Sequence, residues 1–165
     1  MELHPIEKVH FPIFHSLVNA YYRDGEDADT SQAEVDTFIE FLFQMLLQRD
    51  IQGYFATQDG TYIGFALWAV DTEALPFSML PGLGAILEIG FEKPYRRLGF
   101  GTDFVAFIEN WFIRQRVERC YVSAYGPAQE FWSRCGYVKT SKSGNNGLPI
   151  MIKELNGHPT AENEK

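Results

Sequence analysis

An apolar run with strand character, Ala85 to Phe91, leads through Glu92-Lys93-Pro94-Tyr95-Arg96-Arg97-Leu98-Gly99-Phe100-Gly101 into a helix-patterned stretch, Thr102 to Arg114. A second strand-like segment, Glu118 to Ala124, follows it. Strand, helix and strand in that order imply a crossover with the two strands parallel, and so a mixed α/β sheet. The turn between strand and helix holds a Gly-x-Gly pair and two adjacent arginines. Glycine reaches backbone angles closed to other residues. The first N–H groups of a helix have no partner inside it and lie at the positive end of its dipole. Such a turn suits a phosphate or pyrophosphate. Taken alone, Gly-x-Gly is equally a turn that needs glycine only for its backbone.

The flanking sequence fills in the order of elements. Phe11, Phe14, Leu17, Val18, Tyr21 and Tyr22 recur at helical spacing, and an acidic loop, Asp24 to Thr30, follows. Ser31-Gln32-Ala33-Glu34 reads as a capping box ahead of an apolar face formed by Val35, Phe38, Ile39, Leu42, Met45 and Leu46. Ile51 to Thr57 and Thr61 to Val70 read as strands joined at Asp59-Gly60, a hairpin signal. Residues 71–84 read as a loop, and its Leu75, Phe77, Met79 and Leu80 imply that it packs on something. Pro127 opens a short helix ending near Cys135-Gly136, and Tyr137 to Lys142 and Leu148 to Leu155 close the chain as a strand pair. Residues 1–155 are expected to form one domain, with 156–165 a polar, frayed tail.

Composition narrows the function classes. With 14 basic against 22 acidic residues and a net charge of −8, the chain lacks the basic balance of a general nucleic-acid binder. The same balance is compatible with a cationic substrate, or with solubility alone. Cys120 and Cys135 have neither Cys-x-x-Cys spacing nor nearby histidines, and read as reduced thiols of a cytoplasmic protein. There is no basic-then-apolar leader, and apolar stretches break well short of the roughly 18 residues of a membrane helix. His4, His10, His15 and His158 form no metal-ligand spacing and no Ser-His-Asp context. A dinucleotide fingerprint fails too, because Phe104 stands where its third glycine belongs.

Two motifs carry a family resemblance. Arg96, Gly99 and Gly101 match Arg/Gln-x-x-Gly-x-Gly/Ala, with Phe91 and Pro94 fitting the approach to it. Downstream, Ala128, Phe131, Trp132, Arg134, Gly136 and Tyr137 follow Ala-x-x-aromatic-aromatic-x-basic-x-Gly-aromatic. In that order they resemble the GCN5-related N-acetyltransferase (GNAT) superfamily, over residues 53 to 155. The resemblance implies a single mixed central sheet of about six to seven strands, flanked by about four helices and splayed at a central parallel pair. It implies an acetyl-CoA-dependent transfer of acetyl to a primary amine of a small molecule or peptide, without a metal. The alternative on the same fold is a non-catalytic acyl-CoA-binding sensor or interaction module.

The resemblance also implies roles for residues. The pyrophosphate would rest on the N–H groups of Leu98, Gly99, Phe100, Gly101 and Thr102, with the Arg96 and Arg97 side chains adding charge. The pantetheine arm would run along Ile89, Gly90 and Phe91, and Phe131 and Trp132 would belong to the donor side. Glu88 is the candidate general base, against the alternative of an ordinary exposed strand carboxylate. Many relatives place an acidic tyrosine hydroxyl where Trp132 stands, so Tyr125 becomes the candidate proton donor. Asp24, Glu26, Asp27 and Asp29 would attract a cationic acceptor or form a solvated loop. Tyr21, Tyr22, Trp68 and the 71–84 loop would line the acceptor pocket or pack as core or surface. A homodimer through the apolar 75–80 loop or the terminal strands is one further option.

Overall fold

Ile63-Gly64-Phe65-Ala66-Leu67-Trp68-Ala69 is a run with no charge and no alternation, as expected of a strand covered on both faces. In the computed structural model, which describes Met1–Gly25 and Ala28–Leu155, each of these residues is buried. They lie in β3 (Thr61–Val70) of a seven-stranded mixed sheet. The other strands are β1 (Glu2–Pro5), β2 (Gln52–Gln58), β4 (Gly84–Phe91), β5 (Arg119–Ser123), β6 (Val138–Ser143) and β7 (Pro149–Glu154). The strand order is β1-β2-β3-β4-β5-β7-β6. Four α-helices accompany them: α1 (Phe11–Asp24), α2 (Gln32–Leu47), α3 (Phe100–Arg114) and α4 (Gln129–Arg134).

Two features add to the expectation and one, the start of α3, differs from it. The N-terminal Glu2-Leu3-His4-Pro5 shows no apolar alternation, yet it pairs antiparallel with β2, Glu2 opposite Thr57 and Pro5 opposite Tyr54. The last two strands do not follow in chain order: β7 lies beside β5, and β6 outside it. Helix α3 begins at Phe100, two residues before Thr102, because Gly99 caps it with the bond from Asp103 N–H to its carbonyl, 3.1 Å. The parallel pairing of β4 and β5 is registered at Gly84↔Cys120 and Ala85↔Tyr121. The capping box stands as read: the Ser31 hydroxyl accepts from Glu34 N–H while the Glu34 carboxylate accepts from Ser31 N–H, both at 3.3 Å.

The residues group into two compact units, the first made of Met1–Ala69 with Ile86–Ala106. Its core is aromatic. Phe14 of α1 meets Phe43 of α2 at 5.2 Å and Phe65 of β3 at 6.4 Å, and on the other face of β3 Trp68 meets Phe104 edge-on at 6.5 Å. Such pairs add about 1 kcal/mol each beyond their area burial. Trp68 is therefore core, one of the two options open for it.

The second unit holds Val70–Ala85 and the chain from Phe107 onward. Asp71, 1% exposed, organises the loop that follows β3. Its Oδ2 accepts from Met79 N–H at 3.0 Å, Leu80 N–H at 2.8 Å and the Tyr121 hydroxyl at 2.7 Å. Its backbone closes the loop through bonds to Leu83 and Gly82, both 2.8 Å. The loop packs as its apolar residues implied: a Cβ at Gly144 would lie 2.8 Å from the Met79 sulfur. Burial alone would raise the Asp71 pKa, but the donated bonds from Tyr121, Ser78, Met79 and Leu80 outweigh it and hold the carboxyl below the ordinary aspartate value. Burial pushes the Cys120 thiol up to about 12, against its bond to the Tyr137 hydroxyl.

Asp71→Ala strands the donors that meet its carboxylate and is expected to lower the unfolding free energy by about 3 kcal/mol, read by urea denaturation at pH 7. Because the folded carboxyl titrates below the unfolded one, its contribution is complete above the unfolded pKa and fades as pH falls through the folded pKa. The gap between wild type and variant should therefore hold from pH 7 to pH 5 and shrink only in strong acid.

Candidate active site

β4 presents alternate residues to opposite faces. On the face turned to α1 stand Glu88 and Gly90. The Tyr22 hydroxyl donates to Glu88 Oε1 at 2.8 Å. The neighbouring Tyr21 lies over Gly90, where an added Cβ would sit 2.6 Å from its ring. On the opposite face, Phe91 stacks on Phe100 at 6.3 Å and meets Phe104 edge-on at 6.2 Å. The turn after β4 and the first turn of α3 are thereby anchored to the strand.

Past Phe91 the backbone is tied down before it reaches the glycines. Glu92 N–H, just past β4, donates to the Ile63 carbonyl of β3 at 2.9 Å. Arg96 Nε donates to the Phe91 carbonyl at 2.7 Å, and its Nη2 reaches Asp24 at 3.3 Å. Lys93 Nζ lies 3.1 Å from the other oxygen of Asp24. These cations hold the Asp24 carboxyl below its ordinary range, the Lys93 hydrogen bond being the largest cause. Arg97 (φ 61°) and Gly99 (φ 89°) then take left-handed angles, and α3 starts. The N–H groups of Gly99, Phe100, Gly101 and Thr102 occupy the positions that a helix leaves without internal acceptors. A Cβ on Gly99 would meet no other protein group within 4 Å, so this residue of the turn borders open space.

A pocket of about 300 Å³ lies in the same unit, lined by Tyr21, Asp24, Phe65, Phe91, Lys93 and Arg96 among others. Gly64 and Gly90 also line it. The pocket mixes aromatic walls with charges of both signs.

Several expected site residues are therefore brought together in the first unit: Glu88, Ile89, Gly90 and Phe91 on β4, and Arg96 through Thr102 in the turn and first helical residues. The Arg96 guanidinium joins the end of β4 to the end of α1. Asp24 is no member of a solvated loop: it closes α1 as the partner of Lys93 and Arg96. Glu26 and Asp27 lie outside the described residues, and Asp29 is exposed.

Tyr125, Phe131 and Trp132 belong to the second unit. Tyr125, 40% exposed, precedes the Gly126–Ala128 turn. Trp132 is buried, its ring 5.1 Å from Phe131 and 5.0 Å from Tyr137. Tyr137 is core, as read. Two residues escaped the sequence reading in the parts they play: Tyr22, as a donor to a carboxylate, and Asp24, as a clamp. Helical spacing places Tyr22 on the buried face, but no local pattern shows what its hydroxyl meets.

Residues 13–137 match the sequence pattern of the acetyltransferase (GNAT) family. The chain belongs to that family. The matched span takes in β4, the glycine turn, α3 and α4. GNAT structures also superpose on it. The PaiA N-acetyltransferase of Thermoplasma acidophilum, in complex with coenzyme A, shares 14% identity over 93% of this chain and 98% of its own, with a TM-score of 0.73. A GCN5-related N-acetyltransferase from Ralstonia eutropha JMP134 shares 20% over 87% and 95%, with a TM-score of 0.71. The aminoglycoside acetyltransferase AAC(6')-Ib, in complex with coenzyme A, shares 18% over 92% and 93%, also at 0.71. No curated protein matches the chain significantly. Among the described residues no group of three or more His, Cys, Asp or Glu side chains could hold a metal ion, and no helix is long and apolar enough to cross a membrane.

The left-handed backbone at Gly99 gives a check that does not depend on any ligand. Gly99→Ala is expected to lower the unfolding free energy by about 1 kcal/mol through the cost of φ 89° alone, measured by urea denaturation.

Proposed function

We propose that this GNAT-family acyltransferase moves an acetyl group from acetyl-CoA to a primary amine of a small molecule or peptide. The observation that carries it is the start of α3, where four N–H groups without helical acceptors stand at the positive end of a 15-residue helix, after the turn that follows the strand bearing Glu88. The family match and the coenzyme A bound to similar proteins support the choice of anion.

The residues divide the work. The N–H groups from Leu98 to Thr102 hold the donor's pyrophosphate, with the exposed Arg97 nearby and the Arg96 guanidinium keeping the turn in shape. The backbone of Ile89, Gly90 and Phe91 offers strand hydrogen bonds to the pantetheine arm. An alkyl ammonium with a pKa near 10 must lose a proton before it attacks, and Glu88 accepts it. The amine nitrogen then bonds to the thioester carbonyl carbon, and the carbon–sulfur bond breaks as the thiolate leaves. Thiols ionise near 8.5, so the departing sulfur needs little acid help. Tyr125 is assigned the return of the proton to it, and Phe131 and Trp132 the donor side. The acceptor amine is placed in the pocket lined by Tyr21, where Asp24 and Glu92 balance the charges of Lys93 and Arg96.

Buried Trp132, which brings no acidic hydroxyl, favours the second reading: an acyl-CoA-binding module without turnover. Calorimetry with acetyl-CoA tests what the two share, and should give micromolar to millimolar binding that Gly99→Ala weakens about tenfold or more; absence of binding rejects both. Release of free thiol with spermidine, kanamycin and a lysine-rich peptide then separates them, since only an enzyme gives turnover. For an enzyme, Glu88→Gln should lower kcat by about a hundredfold at pH 7 while acetyl-CoA affinity stays within a few-fold.

A further inference from the structure

We propose that Tyr22 is the positioning residue for Glu88, fixing the carboxylate from helix α1 so that it meets the acceptor amine in one orientation; this rests on the reading of Glu88 as the base. Tyr22 is 5% exposed, and its ring packs against Tyr21 at 5.3 Å and Phe38 at 5.6 Å. A phenol held on two sides has little freedom, because only two side-chain torsions place its hydroxyl. That hydroxyl lies 2.8 Å from Glu88 Oε1. An ionised carboxylate only accepts, so the phenol is the donor, and the bond is of the stronger charge-assisted kind.

Glu88 has three torsions and stands half-buried in the middle of β4. Without a fixed partner its carboxylate would sample several orientations, and a misplacement of about 1 Å at a reacting group is enough to cost up to a hundredfold in rate. Helix α1 puts two adjacent side chains to use on this strand: Tyr22 grips the carboxylate, while Tyr21 covers Gly90 and lines the pocket. The same helix ends at Asp24, which Lys93 and Arg96 tie to the turn after β4. The position of the base is therefore set by the helix that also borders the pocket, and not by β4 alone.

A double-mutant cycle tests this: wild type, Tyr22→Phe, Glu88→Gln and the double variant. Thiol release is measured with saturating acetyl-CoA and whichever of spermidine, kanamycin or the lysine-rich peptide the wild type turns over fastest. Rates are compared at a temperature where circular dichroism shows all four proteins folded. Tyr22→Phe keeps the ring and removes only the hydroxyl. It should lower kcat about tenfold, leave the KM for acetyl-CoA unchanged, and cause no further loss in the Glu88→Gln background. A wild-type kcat for Tyr22→Phe, or the same tenfold loss with and without Glu88, would overturn the positioning role while leaving Glu88 as base. Full activity of Glu88→Gln, or no turnover of any amine by the wild type, would instead overturn the reading of Glu88 and the proposal with it.

Discussion

A glycine pair lets two strands and a helix come close enough to make this site. A Cβ at Gly64 of β3 would lie 2.5 Å from the Gly90 carbonyl oxygen of β4, and a Cβ at Gly90 would lie 2.6 Å from the Tyr21 ring. Any side chain at either position would drive apart elements that are packed at contact distance. With no side chain at Gly90, α1 lies directly on β4. Tyr22 then reaches Glu88, Tyr21 roofs the pocket, and Asp24 arrives beside Lys93 and Arg96.

The opposite face of β4 is anchored by contacts of another kind. Phe91, Phe100 and Phe104 carry the strand into the first turns of α3, so the glycine turn leaves from a fixed end and enters a fixed helix. The hydrogen bonds of Glu92 to Ile63 and of Arg96 to Phe91 take up the slack between them. Left-handed angles at Arg97 and Gly99 are tolerable in such a frame, because the cost of one or two strained residues is small beside the aromatic packing around them. An anion site made of backbone N–H groups depends on that rigidity, since its donors cannot move to find the ligand.

Much of this was legible in the linear pattern. The capping box of α2, the hairpin at Asp59-Gly60, the limits of β3 and the strand–turn–helix around Gly99 are local signals, each governed by residues within a few positions of one another. The Arg96, Gly99, Gly101 motif and its downstream partner placed the chain in the family to which it belongs. What was not legible depends on residues far apart in the chain. The pairing of Glu2–Pro5 with β2 spans some fifty positions, and the placing of β7 between β5 and β6 reverses chain order. Asp71 with Tyr121 is a contact between residues whose own neighbourhoods announce nothing.

The sequence alone determined the class of fold, the turn at Gly99 and the identity of the chemical groups present: an acid on β4, two arginines, a tryptophan where a hydroxyl was looked for. Backbone propensity and periodicity act over a turn or a strand, and so these features can be read from neighbours. Tertiary structure decided which of those groups meet. It turned Asp24 from a loop charge into a clamp, gave Arg96 a strand end to hold, buried Trp132, and set the Tyr22 hydroxyl on Glu88. Hydrogen bonds and ion pairs act only at contact, and α1 comes into contact with β4 where Gly90 carries no side chain.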